Sequence, residues 1–345
     1  MTDRPALSCA LAPTADVVAQ ARLAEQLGYR RVWLADAPAL YADLWVAMAR
    51  IATGTDHIGI GAGVTVPGLR HPMVTASAIA SVDELAPGRL IVGLGTGYSA
   101  LNTLGRKPAT WTQTAAYYRQ VRALLDGQTI DIDGRACRMM QLPEPQLADP
   151  RLPGLSARHP INVPLWLAVS GPKGIATARE LAVPGVIWTS TPTENGDWPD
   201  SALLRFGTVL DPGEDHTHPR VLEAAGPGYT AMVVHAAWQH SPTAVDHLPG
   251  GTKWREQVEQ EQPAERRHTI VHEGHIVRLV DRDRDVATAA GPTLLDIGWT
   301  GDAASIRDRF TQAADSGVTE VIYIPAGPDI ARELTAFASA AGFSA

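Results

Sequence analysis

In GRLIVGLGTGYSALNTLGRKPAT (residues 88–110) an apolar run ends in three alternating glycines, Gly93, Gly95 and Gly97, followed by Tyr98. A strand that empties into such a loop brings backbone amides close to something flat or anionic. Other segment ends carry chemistry of the same kind. Asp36 closes RRVWLAD (30–36), GAGVT (61–65) ends another apolar run, and Ser170-Gly171-Pro172-Lys173 follows VPLWLAV (163–169). The last of these sets backbone amides and a lysine in one turn, which suits a phosphate. Thr96 and Ser170 add hydroxyl donors, and the Tyr98 phenol can donate a proton or stack. His268, His272 and His275 are spaced i, i+4 and i+7, so on a helix they share a face. HEGH lacks the two-residue gap of the zincin pair, and no metal is expected. No serine, histidine and aspartate arrangement marks a hydrolase triad.

Those segment ends need a scaffold that brings them to one rim. Strand candidates at 6–12, 30–36, 57–64 and 89–95 alternate with helix candidates at 14–28, 43–54, 71–88 and 111–127. Thr14 is placed to cap the first helix, Gly28 to end it, and Pro72 suits a first helical turn. Repeated strand–helix units imply parallel strands with crossover helices. The beat pauses at 128–162, where TIDIDGRACRMM predicts a hairpin turning at Asp133-Gly134. It resumes with 163–169, a helix at 171–182 and a strand at 185–190. YTAMVVHAAW (229–238) is taken as the seventh strand, a helix is predicted around PAERRHTIVHEGH, and TEVIYIP (319–325) is the eighth strand. Eight such units in 345 residues predict an α/β fold. The expected form is one (β/α)8 barrel over 1–345, with insertions after strands 4, 6 and 7 at about 128–162, 191–228 and 239–264. A doubly wound sheet is the alternative. In a barrel the candidate residues all sit at the C-terminal ends of strands, where loops build active sites.

On this arrangement a dinucleotide fingerprint at 93–98 fits poorly. Position 100 is alanine, and residues 110–125 read as helix rather than as a second strand bearing an acid. A methyl-donor loop would belong on the first strand, yet three units precede this one.

Composition narrows the function classes. With 37 acidic against 29 basic residues the formal charge is −8, which argues against nucleic acid or a membrane surface as partner. No apolar run is long enough to span a bilayer. The two cysteines, Cys9 and Cys137, make no disulfide framework, and the N-terminal stretch lacks a signal peptide's flanks. A cytoplasmic protein acting on a small molecule is the expectation.

The string GIGAGVTVPGLRHPMVTASAIASVDELAPGRLIVGLGTGYSA (59–100), together with 163–182, 185–190 and 317–329, resembles the bacterial luciferase-like oxidoreductases. It is most similar to their methylene-tetrahydromethanopterin reductase-like, coenzyme F420-binding branch. The resemblance implies a TIM barrel with a non-proline cis peptide at Gly63–Val64, backing the central ring of a flavin or deazaflavin. It places Asp36, Thr65, Gly95, Thr96, Gly97 and Tyr98 along the ring and its side chain. Ser170, Gly171, Pro172 and Lys173 fall near the cofactor phosphate, and Thr189 supplies a ring-side hydroxyl. Homodimers are common in the family, so a homodimer is expected here.

Departures from the family bear on the substrate. Sugar-phosphate dehydrogenases of this type carry histidine and glutamate where this chain has Ala37 and Tyr98. The pterin reductases carry acids near the end of the first strand, where this chain offers Ser8, Cys9 and Ala10. The resulting expectation is an enzyme passing a hydride between F420 and a small organic substrate, at a C=N or C=C bond. An FMN-dependent monooxygenase using oxygen and a non-catalytic flavin-binding protein are the alternatives. Residues 191–264 are expected to form the lids that select the substrate.

Overall fold

A computed structural model describes residues 4–140, 159–192 and 198–343. Runs of buried aliphatic and aromatic residues form the first strands: β1 (Ala6–Leu11), β2 (Arg31–Leu34), β3 (Gly59–Thr65) and β4 (Leu90–Leu94). A small hairpin follows, β5 (Ile130–Ile132) with β6 (Arg135–Cys137), turning at Asp133 and Gly134, both at positive φ. The remaining strands are β7 (Leu165–Val169), β8 (Gly185–Trp188), β9 (Asp200–Phe206) and β10 (Glu320–Ile324). All but the hairpin pair in parallel and close as β1-β10-β9-β8-β7-β4-β3-β2. This is the expected eight-stranded barrel. Strands such as RVWL and EVIYI are buried on both faces because helices cover the outside and side chains fill the inside.

The helices between these strands are α1 (Val17–Gln26), α2 (Leu44–Gly54), α3 (Pro72–Leu85), α4 (Tyr98–Asn102), α5 (Trp111–Leu125) and α6 (Gly171–Glu180). Local chemistry sets their starts. Asp43 accepts from the amides of Trp45 and Val46 at 2.9 and 3.1 Å, and Thr110 and Gln113 form a reciprocal capping box. His71 Nδ1 accepts from the Met73 amide at 3.2 Å, so this histidine caps α3. Thr14 does not cap α1; Asp16 is the N-cap and makes no side-chain bond there.

Inside the barrel, Trp33, Ile91, Trp166, Ile187, Ala202 and Ile322 pack together, the two indoles 5.5 Å apart. Beneath them Arg31 and Glu320 form a buried ion pair, and Trp33 Nε1 donates to Glu320 Oε1 at 2.9 Å.

The seventh strand is not 229–238. It is β9, inside the range 191–228 assigned to an insertion, and it pairs with β8 and β10. Residues 219–240 instead form α7 (Pro219–Tyr229), a π-turn at Thr230–Val234, and α8 (His235–His240). β-branched and aromatic residues made 229–238 read as strand. Its buried residues, Tyr229, Thr230, Ala231, Val234 and His235, nonetheless follow a helical face rather than alternation. The excursion continues through α9 (Gly251–Glu261), α10 (Asp281–Ala289) and α11 (Thr293–Asp296), so 239–264 is largely helical. Only a short 3-10 turn, Ala264–Thr269, stands where a helix was predicted around PAERRHTIVHEGH. These segments share their own apolar cluster, centred on Tyr229, Val245, Trp254, Val271 and Val286. The chain then returns through α12 (Ala303–Asp315), β10 and α13 (Ile330–Ala340). Among the described residues no helix is long and apolar enough to cross a membrane.

Candidate active site

A cavity of about 890 Å³ opens at the C-terminal ends of the strands. A smaller one of about 370 Å³ lies at the opposite end, among Arg30, Arg31, His57 and Arg89. There Arg31 is taken by Glu320, and Arg89 by the carbonyls of Ala52, Thr55 and Ile58. The larger cavity therefore holds the groups free to meet a ligand.

Its first wall comes from β2, β3 and β4. The Gly63–Val64 peptide is cis, and the β3–β4 register shifts between Ala62 and Thr65, giving the bulge the resemblance implied. Gly63 and Val64 line the cavity. The glycines of β4 answer this bulge. A Cβ on Gly93 would stand 2.7 Å from the Ala62 carbonyl oxygen, and one on Gly95 2.8 Å from Val64 Cγ2. Gly97 has φ 78° and faces Val66. The alternating pattern is thus first a packing requirement of β3 against β4. Its consequence is that Gly95, Thr96, Gly97 and Tyr98 all border the cavity.

Asp36 lies in the same wall, almost fully buried. Its Oδ2 accepts from Thr65 Oγ1 at 2.7 Å and from Arg70 Nη1 at 2.5 Å, while Arg70 Nη2 donates to Asp43 at 2.7 Å. Burial pushes the Asp36 carboxyl up, and Thr65 and Arg70 oppose that push. Thr65 itself is buried behind Asp36 and does not line the cavity, so it positions the carboxylate. Tyr98 opens α4 at the cavity edge, 42% exposed, with its phenol pushed up to about 12 by desolvation. At neutral pH it keeps its proton and can donate a hydrogen bond.

Ser170 and Thr189 line the cavity from β7 and β8. Gly171, Pro172 and Lys173 do not. They form the exposed first turn of α6, just outside the cavity.

Sequence reasoning missed the opposite wall. Arg205 at the end of β9 points its Nη1 at the Leu204 carbonyl (2.7 Å) and its Nη2 at Thr191 Oγ1 (3.0 Å). Among the described residues it pairs with no carboxylate, and desolvation lowers it to about 10. Phe206, Met232, His275 and Trp299 complete this side. Arg205 would have been found had DSALLRF been read as a strand, since strand ends carry barrel chemistry.

The histidines separate. His268 lies against Gly105, away from the other two. His272 and His275 are buried together, joined by His235 from α8. Burial and the neighbouring imidazoles lower His272 to about 3 and hold His275 well below the ordinary range, so both rings are neutral. Tyr41 Oη donates to the His275 carbonyl at 2.6 Å, tying this turn to the β2 loop.

Comparison with known proteins agrees with this geometry. A family model described as luciferase-like monooxygenase matches residues 2–204. The 5,10-methylenetetrahydromethanopterin reductase of Methanolobus tindarius is 30% identical over 186 residues, 53% of this chain and 52% of that protein. The F420-dependent hydroxymycolic acid dehydrogenase of Mycobacterium tuberculosis is 32% identical over 175 residues, 47% of this chain and 46% of that one. The chain therefore spans about half the length of these two relatives. The solved structure of the coenzyme F420 dependent tetrahydromethanopterin reductase from Methanopyrus kandleri aligns with TM-score 0.64 at 18% identity, covering 99% of this chain and all of that one. At that identity the likeness concerns the fold. The family model spans more than half of the sequence and takes in the bulged third strand and the glycine loop: the chain belongs to the luciferase-like monooxygenase family.

Proposed function

We propose that this protein is an oxidoreductase that uses coenzyme F420 to exchange a hydride with a small organic substrate carrying a C=N or C=C bond. The observation that supports it most is the pairing of two unlike walls around one cavity. One wall is a close-packed bulge and glycine loop suited to a flat ring; the other sets Arg205 and Asp296 among Phe206, Met232 and Trp299. The relatives named for F420 supply the choice of cofactor.

The residues fit such a group. The cavity lies within the roughly 300–1,000 Å³ usual for ligand sites. Val64 and Ala168 offer apolar contact, while Thr96, Ser170 and Thr189 offer hydroxyls at the edges. Gly171, Pro172 and Lys173 stand outside the mouth, where the amides opening α6 and the ammonium group suit the anionic tail of the cofactor. A bound deazaflavin supplies the hydride; the protein supplies placement. Asp36, held by Thr65 and Arg70, fixes the loop under the ring. Tyr98 donates a hydrogen bond at the mouth, and Arg205 meets substrate oxygen or carboxylate on the far side.

The test is side-by-side binding of F420 and FMN to the purified protein by fluorescence, followed by turnover with reduced F420. Preferential F420 binding supports the reading; binding of neither cofactor overturns the placement of the ring. Preferential FMN binding with oxygen uptake would move the protein to the second reading, an FMN-dependent monooxygenase, which the family's description favours.

A further inference from the structure

We propose that His235, His272 and His275 form a binding site for one divalent transition-metal ion of zinc's class in the wall of the cavity opposite the bulge. The three residues come from α8 and from the turns at 270–277, and each offers a ring nitrogen within 4.8 Å of the others. His235 and His272 are fully buried and His275 nearly so. Both nitrogens of His235, Nδ1 of His272 and Nδ1 of His275 are buried with no hydrogen-bond partner. Buried ring nitrogens are ordinarily satisfied, and four left open in one cluster is costly unless something else binds them.

The surroundings are those of metal ligands. Metal-binding imidazoles hold the ion with one nitrogen and are oriented through the other. Nε2 of His272 lies 3.1 Å from Asn102 Oδ1 and 2.8 Å from the Gln239 amide nitrogen. With the Nε2–H donating to Asn102 and the Gln239 amide turned to present its oxygen, the His272 lone pair sits on Nδ1, facing the cluster. Asp283, 1% exposed, has Oδ2 at 3.5 Å from His235 Nε2 while its Oδ1 accepts from Trp254 Nε1 at 2.7 Å. Three imidazoles and one buried carboxylate thus converge on a single enclosed spot, the donor set a dication would take.

Imidazole selects zinc, copper, nickel or cobalt over magnesium and calcium. In a tetrahedral zinc site with bonds of about 2.0–2.1 Å the ligand nitrogens stand about 3.3 Å apart, so binding would draw together any of these nitrogens that stand near the 4.8 Å limit. Three protein ligands leave one position for water. The ion would clamp the turns at 270–277 onto α8, and His275 and Ile276 of those turns line the cavity. Two points hid the site from sequence reasoning. His235 lies far upstream in a segment taken for a strand, and His268, the third member of the expected trio, is elsewhere.

The experiment uses tag-free protein stripped with EDTA and dialysed, then titrated with Co(II) in the absence of any flavin. One equivalent giving the visible bands of four- or five-coordinate cobalt, displaced by Zn(II), is the expected result. Zn(II) should also raise the Tm. His272→Ala and His275→Gln should weaken binding about 100-fold, and Asn102→Ala, which leaves the ligands in place, about tenfold. If a histidine variant does not fold, the Asn102→Ala measurement decides. Absence of the cobalt bands in the native protein overturns the proposal, as does Co(II) affinity unchanged in the folded variants.

Discussion

The two walls of the cavity are built on opposite terms. On the β2–β4 side the buried charges are already satisfied: Asp36 accepts from Thr65 and Arg70, and Arg70 also reaches Asp43. Val64 and Val66 fill the spaces that Gly93, Gly95 and Gly97 leave. On the β9–α8 side polar capacity is left over. Arg205 has a hydroxyl and a carbonyl but no carboxylate among the described residues, and three buried imidazoles keep ring nitrogens open. The first wall is finished before any ligand arrives; the second is completed by what binds. A cofactor shared by many enzymes suits the first kind of surface, and a particular substrate suits the second.

That contrast can be broken, most sharply at the finished wall. Gly97→Val puts a β-branched residue at φ 78° against Val66, and should cost about 4 kcal/mol in urea unfolding. F420 binding should be lost with it. A stable, cofactor-binding variant would show that the loop adapts. Asp36→Asn leaves Arg70 with Asp43 alone. Removing one partner from a buried pair predicts a loss of about 3 kcal/mol by the same measurement.

A third variant asks whether openness belongs to the cavity or to the whole helical excursion. Glu214, ahead of α7, is lowered to about 2, chiefly by its bonds to Arg220, which also reaches Glu333 on α13. Glu214→Gln should cost about 2 kcal/mol at pH 7. Because the folded-state value is depressed, this contribution is complete above the ordinary glutamate range near pH 4.5 and is lost as pH falls towards 2. Denaturation midpoints of the native protein and the variant should therefore converge over that interval. Persistent separation would detach the effect from this carboxylate.

The smallest effect on stability is expected at the open wall. Arg205→Met should leave the unfolding midpoint unchanged, since it removes a cation without a carboxylate partner. The same change should lower kcat/KM for an acidic substrate about tenfold or more, relative to a neutral analogue. Equal losses for both substrates would remove Arg205 from recognition.

The same asymmetry explains what could be read in advance. The strands of the first wall are apolar runs closed by glycine or aspartate, and their alternation with helices is plain in the letters. DSALLRF begins with aspartate and carries an arginine near its end, so it lacks that outline. YTAMVVHAAW has the composition of a strand but buries a helical face. Exchanging those two segments hid both Arg205 and His235. Even where the glycine pattern was legible, its immediate partner was not: Val64 and Val66 meet the glycines only because β3 bulges, a tertiary fact.

The ion pair of Arg31 with Glu320, capped by the tilted indoles of Trp33 and Trp166, fills the barrel at its lower end. The cavity above it therefore has a packed floor. On the proposed function coenzyme and substrate would both enter from the rim of strand C-termini, so a ligand seated on the floor would be covered by the next to bind, and product-inhibition patterns would read that order.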